Sequence, residues 1–190
     1  MSNFEKETVI LEEFYKIRED TEQILEYLDG VIFISPSPST KHQRIASRMH
    51  AELFQHLDDS DCEVFPAPFD IVLKKEENEE IQSTKIVIPD LSVICDPSGL
   101  DEAQYVGAPT VIFEIISPSN QSHDLVFKLN LYMEHGVKEY WIINPLLNTV
   151  QIYAVDDVGK YRQQAIAKDV GEVQSMMLAN FKINLEKLYG

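Results

Sequence analysis

The sequence predicts an α/β chain of α+β character: a mixed β-sheet flanked by helices, in a single domain over residues 1–190. Three observations lead to this. Lys85 to Cys95 and Thr110 to Ile116 are nearly continuous apolar runs, the pattern of strands buried on both faces. Lys41 to Leu57 and Ser122 to His135 carry their apolar residues at helical spacing instead. The elements do not alternate strand and helix as a doubly wound sheet requires, so the sheet is expected to be mixed.

The elements follow in chain order. Thr8 to Leu28, with Ile10, Leu11, Phe14, Ile24 and Leu25 set among acids, predicts one or two short amphipathic helices, a helical extension over about residues 1–28. Asp29-Gly30 is a turn signal, and Val31 to Ile34 a strand. Ser35 to Thr40 is a loop in which Ser39 or Thr40 can cap the helix Lys41 to Leu57, whose Ile45, Met49, Leu53 and Leu57 form one apolar stripe. Phe69 to Leu73 reads as a strand and Lys74 to Glu80 as a polar connection. After the two long strands, Ser117 to Asn120 breaks the chain. The helix Ser122 to His135 then places Leu125, Leu129, Tyr132 and Met133 on one side, with Gly136 as its C-cap. Tyr140 to Pro145, Val150 to Tyr153 and Tyr161 to Ala167 read as strands, and the remainder as irregular.

Composition narrows the function classes. At 44% apolar and 25% charged the chain is globular rather than disordered. No apolar run approaches the roughly 18 residues that span a bilayer, so no membrane partner is expected. Met1 to Glu7 lacks a signal-peptide pattern. Cys62 and Cys95 have no Cys or His at zinc-ligand spacing and give no sign of a disulfide, which predicts a reducing, cytoplasmic setting. The net charge of -16, with much of the acid in Glu5 to Asp29 and Asp58 to Glu80, counts against strong independent nucleic-acid binding. It is compatible with a carboxylate metal site. A β-rich edge on an acidic protein is also compatible with a homodimer, and the oligomeric state stays open.

Carboxylates inside apolar strands carry the chemistry, because an unpaired buried charge is costly. Asp90 lies within Ile86 to Ile94, and Glu114 lies in the middle of Thr110 to Ile116. If those strands pair, the two acids converge, and such a pair suits a hard divalent cation. Alternatively each is satisfied locally by a backbone N–H or a base. Asp124 and Lys128, four apart on the next helix, share a face that Tyr132 continues. Such a pair is ordinarily a weak surface contact; here the helix directly follows the Glu114 strand, so Lys128 can turn inward. His42 at a helix start and Asp70 in an apolar strand are auxiliary candidates, and Glu26 a weaker one. Gly-rich phosphate loops, dinucleotide fingerprints and nucleophile elbows are absent.

Tyr27 to Gly30, Ser35 to Ser39 with His42, Pro89 to Val93, Gly107 to Pro109, Glu114 to Ser119, Asp124 with Lys128 and Tyr132, and Gly136 to Trp141 occur in an order that resembles the Uma-two family of restriction endonucleases, a branch of the PD-(D/E)XK nuclease superfamily. The resemblance implies a restriction-endonuclease-like core and phosphodiester hydrolysis with Mg²⁺ or Mn²⁺. It further implies Asp90 and Glu114 as metal ligands, with Lys128 completing the catalytic set. His42, Asp70, Asp124 and Tyr132 are auxiliaries. The superfamily's Lys two residues after the acid is Ile116 here, and Lys128 is the natural migrated substitute. The expected activity is therefore a metal-dependent endonuclease acting on nucleic acid, DNA ahead of RNA. The alternatives are a non-catalytic binding or assembly module on the same fold, or a hydrolase of another phosphoester.

Overall fold

A computed structural model of the chain describes residues 8–74, 84–117 and 123–190, without the side chains of 123–125. Helix α1 (Leu11–Glu19), strands β1 (Leu25–Leu28) and β2 (Val31–Ile34), and helix α2 (Thr40–Leu57) come first. Strands β3 (Glu63–Pro66), β4 (Asp70–Leu73), β5 (Lys85–Val87), β6 (Leu91–Ile94), β7 (Gln104–Val106) and β8 (Val111–Ile115) lead to helix α3 (His123–Glu134). Strands β9 (Glu139–Asn144), β10 (Thr149–Val155), β11 (Tyr161–Lys168), β12 (Glu172–Gln174) and β13 (Lys182–Asn184) and helix α4 (Leu185–Tyr189) complete the chain.

These strands form a five-stranded sheet in the order β2-β1-β5-β4-β7, a six-stranded sheet in the order β11-β10-β9-β8-β6-β3, and a ribbon of β12 and β13. Each large sheet is mixed, since β4 and β7 run parallel, as do β8 and β9, among otherwise antiparallel pairs. The expected class, mixed sheet flanked by helices, is the class observed, with the strands divided between two sheets.

Strand alternation makes β8 and β9 serve two cores. Phe113, Ile115, Trp141 and Ile143 pack with Ile45, Met49 and Leu53 of α2 and with the C-terminal ribbon. Ile112, Tyr140 and Ile142 face the other way, onto Leu131 and Tyr132 of α3 and Ile71 and Val87 of the five-stranded sheet. Phe14 of α1 closes a third cluster over Leu25, Tyr27, Val72 and Ile86. Burying each such side chain contributes about 1.5–3 kcal/mol. Glu139, fully buried, accepts from Trp141 Nε1 (2.6 Å), Ser175 Oγ (2.6 Å) and the backbone N–H groups of Met176 (2.6 Å) and Met177 (3.1 Å), which ties the segment between β12 and β13 to β9.

Four expectations are corrected. Residues 25–28 are not helical: Leu25–Leu28 is a strand paired to β2 and β5, because the Asp29-Gly30 turn (φ 49 and 84) closes a two-residue hairpin. Lys85 to Cys95 is not one strand: it leaves the five-stranded sheet after Val87 and enters the six-stranded one at Leu91. Pro89 sits at the switch, where a residue without an N–H costs neither ladder a bond. The C-terminal stretch is a ribbon and a helix rather than irregular. Finally, Cys62 and Cys95 are joined by a disulfide, their Cα atoms 4.0 Å apart. They extend the β3–β6 register by one residue beyond Glu63↔Ile94, which only the folded pairing reveals. Most of the polar connection at 74–80 and the break at 118–120 lie outside the described residues.

Candidate active site

The switch at Pro89 builds the site. Leu91 pairs with Phe113, so Asp90, one residue earlier, comes opposite Glu114. Asp90 Oδ2 accepts the backbone N–H of Ile115 at 2.7 Å, and Asp90 Oδ1 lies 3.1 Å from His42 Nε2. Ser39 caps α2 by accepting from the His42 N–H at 3.2 Å, which fixes the helix start so that the imidazole reaches the strand end. His42 Nδ1 is buried and has no hydrogen-bond partner among the described residues.

Glu114 lies on the face of β8 that meets α3. Its Oε1 accepts from Lys128 Nζ at 2.8 Å and from the Tyr132 hydroxyl at 2.7 Å, the four-residue spacing placing both donors on one helix face. Lys128 Nζ also lies 3.2 Å from Glu26 Oε1, which in turn accepts the Ile88 N–H at 2.9 Å. Glu26 therefore satisfies the backbone donor freed where the chain changes sheets, and shares the lysine with Glu114. Glu26 is 5% exposed. Lys128 and Tyr132 thus meet the site, and so do Asp90, Glu114 and His42. Asp70 does not line the pocket; its carboxylate is taken by a two-pronged ion pair with Arg18 of α1. The side chain of Asp124 lies outside the described residues.

The electrostatics follow from this packing. Burial pushes Glu114 up to about 7; Lys128 opposes that, and the charges of Asp90 and Glu26 add to it. Burial also acts against the Lys128 ammonium, but Glu114 and Glu26 outweigh it and hold the amine charged well above its ordinary range. The Tyr132 hydroxyl is pushed well up by burial, then by Glu114, so it remains a donor. For His42, burial is outweighed by the Asp90 hydrogen bond and charge, and its pKa rises.

These groups open onto a pocket of about 260 Å³. Asp90, Glu114, Lys128 and His42 form its polar part, and Ile24, Pro36, Pro38, Pro68, Ile88 and Ile116 part of its apolar wall. Among the described residues no three His, Cys, Asp or Glu side chains converge on one metal position. The donor set is instead two facing carboxylates, and Glu114 Oε2 accepts no hydrogen bond among the described residues. That set fits a hard cation of the Mg²⁺ kind, which binds through one or two carboxylates and fills its shell with water, and does not fit a zinc centre.

Sequence reasoning ranked Glu26 only as the weakest of the auxiliary candidates. The signal was a carboxylate inside Leu25-Glu26-Tyr27-Leu28, hidden because that stretch reads as helix. It missed Arg18 as the partner of Asp70.

Comparison with known proteins gives the chain's relatives and its family. The uncharacterized protein slr1290 of Synechocystis sp. is 27% identical over 151 residues, covering 79% of this chain and 76% of that protein. The crystal structure of a nuclease of DUF820 from Anabaena variabilis, so described with the qualifier "putative", superposes with a TM-score of 0.75 at 20% identity, over 95% of this chain and 97% of that one. That likeness establishes the fold. No described helix is long and apolar enough to cross a membrane. A family model described as "Putative restriction endonuclease" matches residues 11–186, and the chain belongs to that family, Uma2.

Proposed function

We propose that this protein is a divalent-cation-dependent endonuclease that hydrolyses phosphodiester bonds in nucleic acid, DNA ahead of RNA. One observation carries the reading: Asp90, Glu114 and Lys128, brought from a strand end, a strand and a helix, line one pocket. Asp90 and Glu114 would hold Mg²⁺ or Mn²⁺. When bound, the cation lowers the pKa of a coordinated water and neutralises charge at the scissile phosphate.

The chain's own residues do the rest. Ile115 N–H and His42 Nε2 fix both oxygens of Asp90, and Tyr132 fixes the rotamer of Glu114. Lys128 Nζ stays charged beside Glu114, where a cation stabilises negative charge growing on the phosphoryl oxygens as water attacks phosphorus and the P–O bond to the leaving sugar breaks. The apolar wall excludes bulk water and strengthens these interactions. The expected cytoplasmic setting belongs to this reading, and the Cys62–Cys95 disulfide counts against a reducing one.

A second reading, a non-catalytic binding module on this fold, is favoured by the net charge of -16 and by the sharing of Lys128 between two carboxylates. Two measurements separate the readings. Calorimetric titration with Mn²⁺ should give saturable binding that Asp90→Ala abolishes; no binding by the native protein would remove the cation from the site. Cleavage of DNA and RNA with Mg²⁺ should then fall at least about a hundredfold in Lys128→Ala, by loss of a transition-state charge partner. Equal rates would take Lys128 out of the chemistry, and no cleavage despite cation binding would favour the binding module.

A further inference from the structure

Three carboxylates and one ammonium meet where the chain passes from one sheet to the other. Glu114 interacts electrostatically with Asp90, Glu26 and Lys128, and among the described residues Lys128 is the only lysine or arginine that lines the pocket. His42, placed on Asp90, adds positive charge only when protonated. With its acids ionised, as cation ligands must be, the cluster holds an excess of two negative charges. One divalent cation balances that excess. Glu26 is the acid of the three that does not line the pocket. It stands on β1, 5% exposed, and its Oε1 accepts both the Ile88 N–H at 2.9 Å and the Lys128 ammonium at 3.2 Å. A neutral amide oxygen would satisfy the Ile88 N–H as well. A carboxylate is far harder to bury, and this one also acts against the ionised Glu114. What its charge adds over an amide is a second anionic partner for Lys128.

A second partner matters because amine and cation claim the same carboxylate. Lys128 Nζ lies 2.8 Å from Glu114 Oε1, and Glu114 is one of the two acids that would hold the cation. A cation on Glu114 offsets the charge that retains the ammonium, and it repels the ammonium as well. With Glu114 as its sole partner, the buried amine would be left uncompensated, which is strongly unfavourable, and cation binding would be opposed by that amount. Glu26 gives the ammonium a partner that the cation leaves free.

We propose that Glu26 is a positioning residue for Lys128: it holds the ammonium at the pocket while Glu114 serves the cation, so that both positive charges act in one site. This rests on the nuclease reading above and deepens it. Glu26 touches neither cation nor substrate in this role. It acts through the amine, and it strengthens cation binding by sparing Glu114 the task of neutralising Lys128 alone.

The test is calorimetric titration of Mn²⁺ into the native protein and variants, each shown by circular dichroism to be folded at the titration temperature. Glu26→Gln keeps an acceptor for the Ile88 N–H and should weaken Mn²⁺ binding roughly tenfold, the order expected when one buried charge is lost near a dication. Glu26→Asp, still anionic but shorter, should recover part of that loss. Tyr27→Phe removes the hydrogen bond from the next residue of β1 to the Val9 carbonyl (2.8 Å) and should bind Mn²⁺ as the native protein does. Native affinity in Glu26→Gln overturns the positioning role, as does an equal loss in Tyr27→Phe, which would mean that loosening the strand is enough. A second measurement needs no variant: acylation of Lys128 by an N-hydroxysuccinimide ester, located by peptide mass mapping. In the native protein it should stay slow whether or not Mn²⁺ saturates the site, and in Glu26→Gln Mn²⁺ should speed it severalfold. Exposure of Lys128 by Mn²⁺ in the native protein overturns the role of Glu26. Absence of saturable Mn²⁺ binding by the native protein overturns the cation reading and this role together; native binding that Glu26→Gln leaves unchanged overturns this role alone.

Discussion

Glu26 and Lys128, 102 residues apart in sequence, are joined at 3.2 Å between Oε1 and Nζ, and so bind a strand of the five-stranded sheet to the helix beside Glu114. The amine thus belongs both to the candidate site and to the contact between two sheets. Removing it leaves two buried carboxylates facing each other with no cation between them.

Lys128→Met, close in volume and uncharged, should therefore lower stability by about 3–5 kcal/mol, the cost of stripping one partner from a buried ion pair. Urea unfolding of the native protein and the variant measures it. Glu26→Gln keeps an acceptor for the Ile88 N–H and should cost less, about 1–3 kcal/mol. Equal midpoints for all three proteins would mean that the ion triad carries no stability.

Glu114 sets a pH dependence. Its carboxyl is raised to about 7, so the folded chain holds that proton more tightly than the unfolded chain does. The associated stability is complete below the ordinary carboxyl range and declines as pH rises toward about 7. His42, also raised, loses its contribution in the same direction as pH passes its folded value. In chelator, the melting temperature should fall from pH 5 to pH 8, and Glu114→Gln should flatten that part of the curve lying below about pH 7, on the order of 1–3 kcal/mol. A native curve that rises with pH over this range would contradict a buried Glu114 carboxyl raised by desolvation.

Glu139 governs a different region. Four donors converge on it, two of them backbone N–H groups of Met176 and Met177. Glu139→Ala strands those donors in the interior and should cost about 3 kcal/mol or more. Amide exchange should quicken at Met176 and Met177 more than in α1. Uniform exchange rates would place the loss elsewhere.

The legible part of the site was the part written in local pattern. Asp90 and Glu114 stood out as acids in apolar runs, and Lys128 and Tyr132 followed from helical spacing after the Glu114 strand. The rest depended on long-range register. Glu26 acts only because Pro89 breaks the run from Lys85 to Cys95 and frees the Ile88 N–H. Asp70 looked like a ligand because it is an acid in an apolar strand, and Arg18 reaches it from a helix 52 residues away. Strands β3 and β7 are short and carry Glu63, Pro66 and Gln104, so their apolar signal is weak. The pairing of Cys62 with Cys95 exists only once β3 lies on β6.

That pairing has a topological consequence. The disulfide closes a covalent ring over a sequence separation of 33, and at the far end of the same strand pair the Ala67 N–H holds the Asp90 carbonyl at 3.0 Å. The ring encloses β3 to β6, including the carboxylate of Asp90. In the oxidised molecule, a protease cut between Cys62 and Cys95 yields a two-chain protein of unchanged mass apart from one added water. Its pieces separate only when a reductant is added.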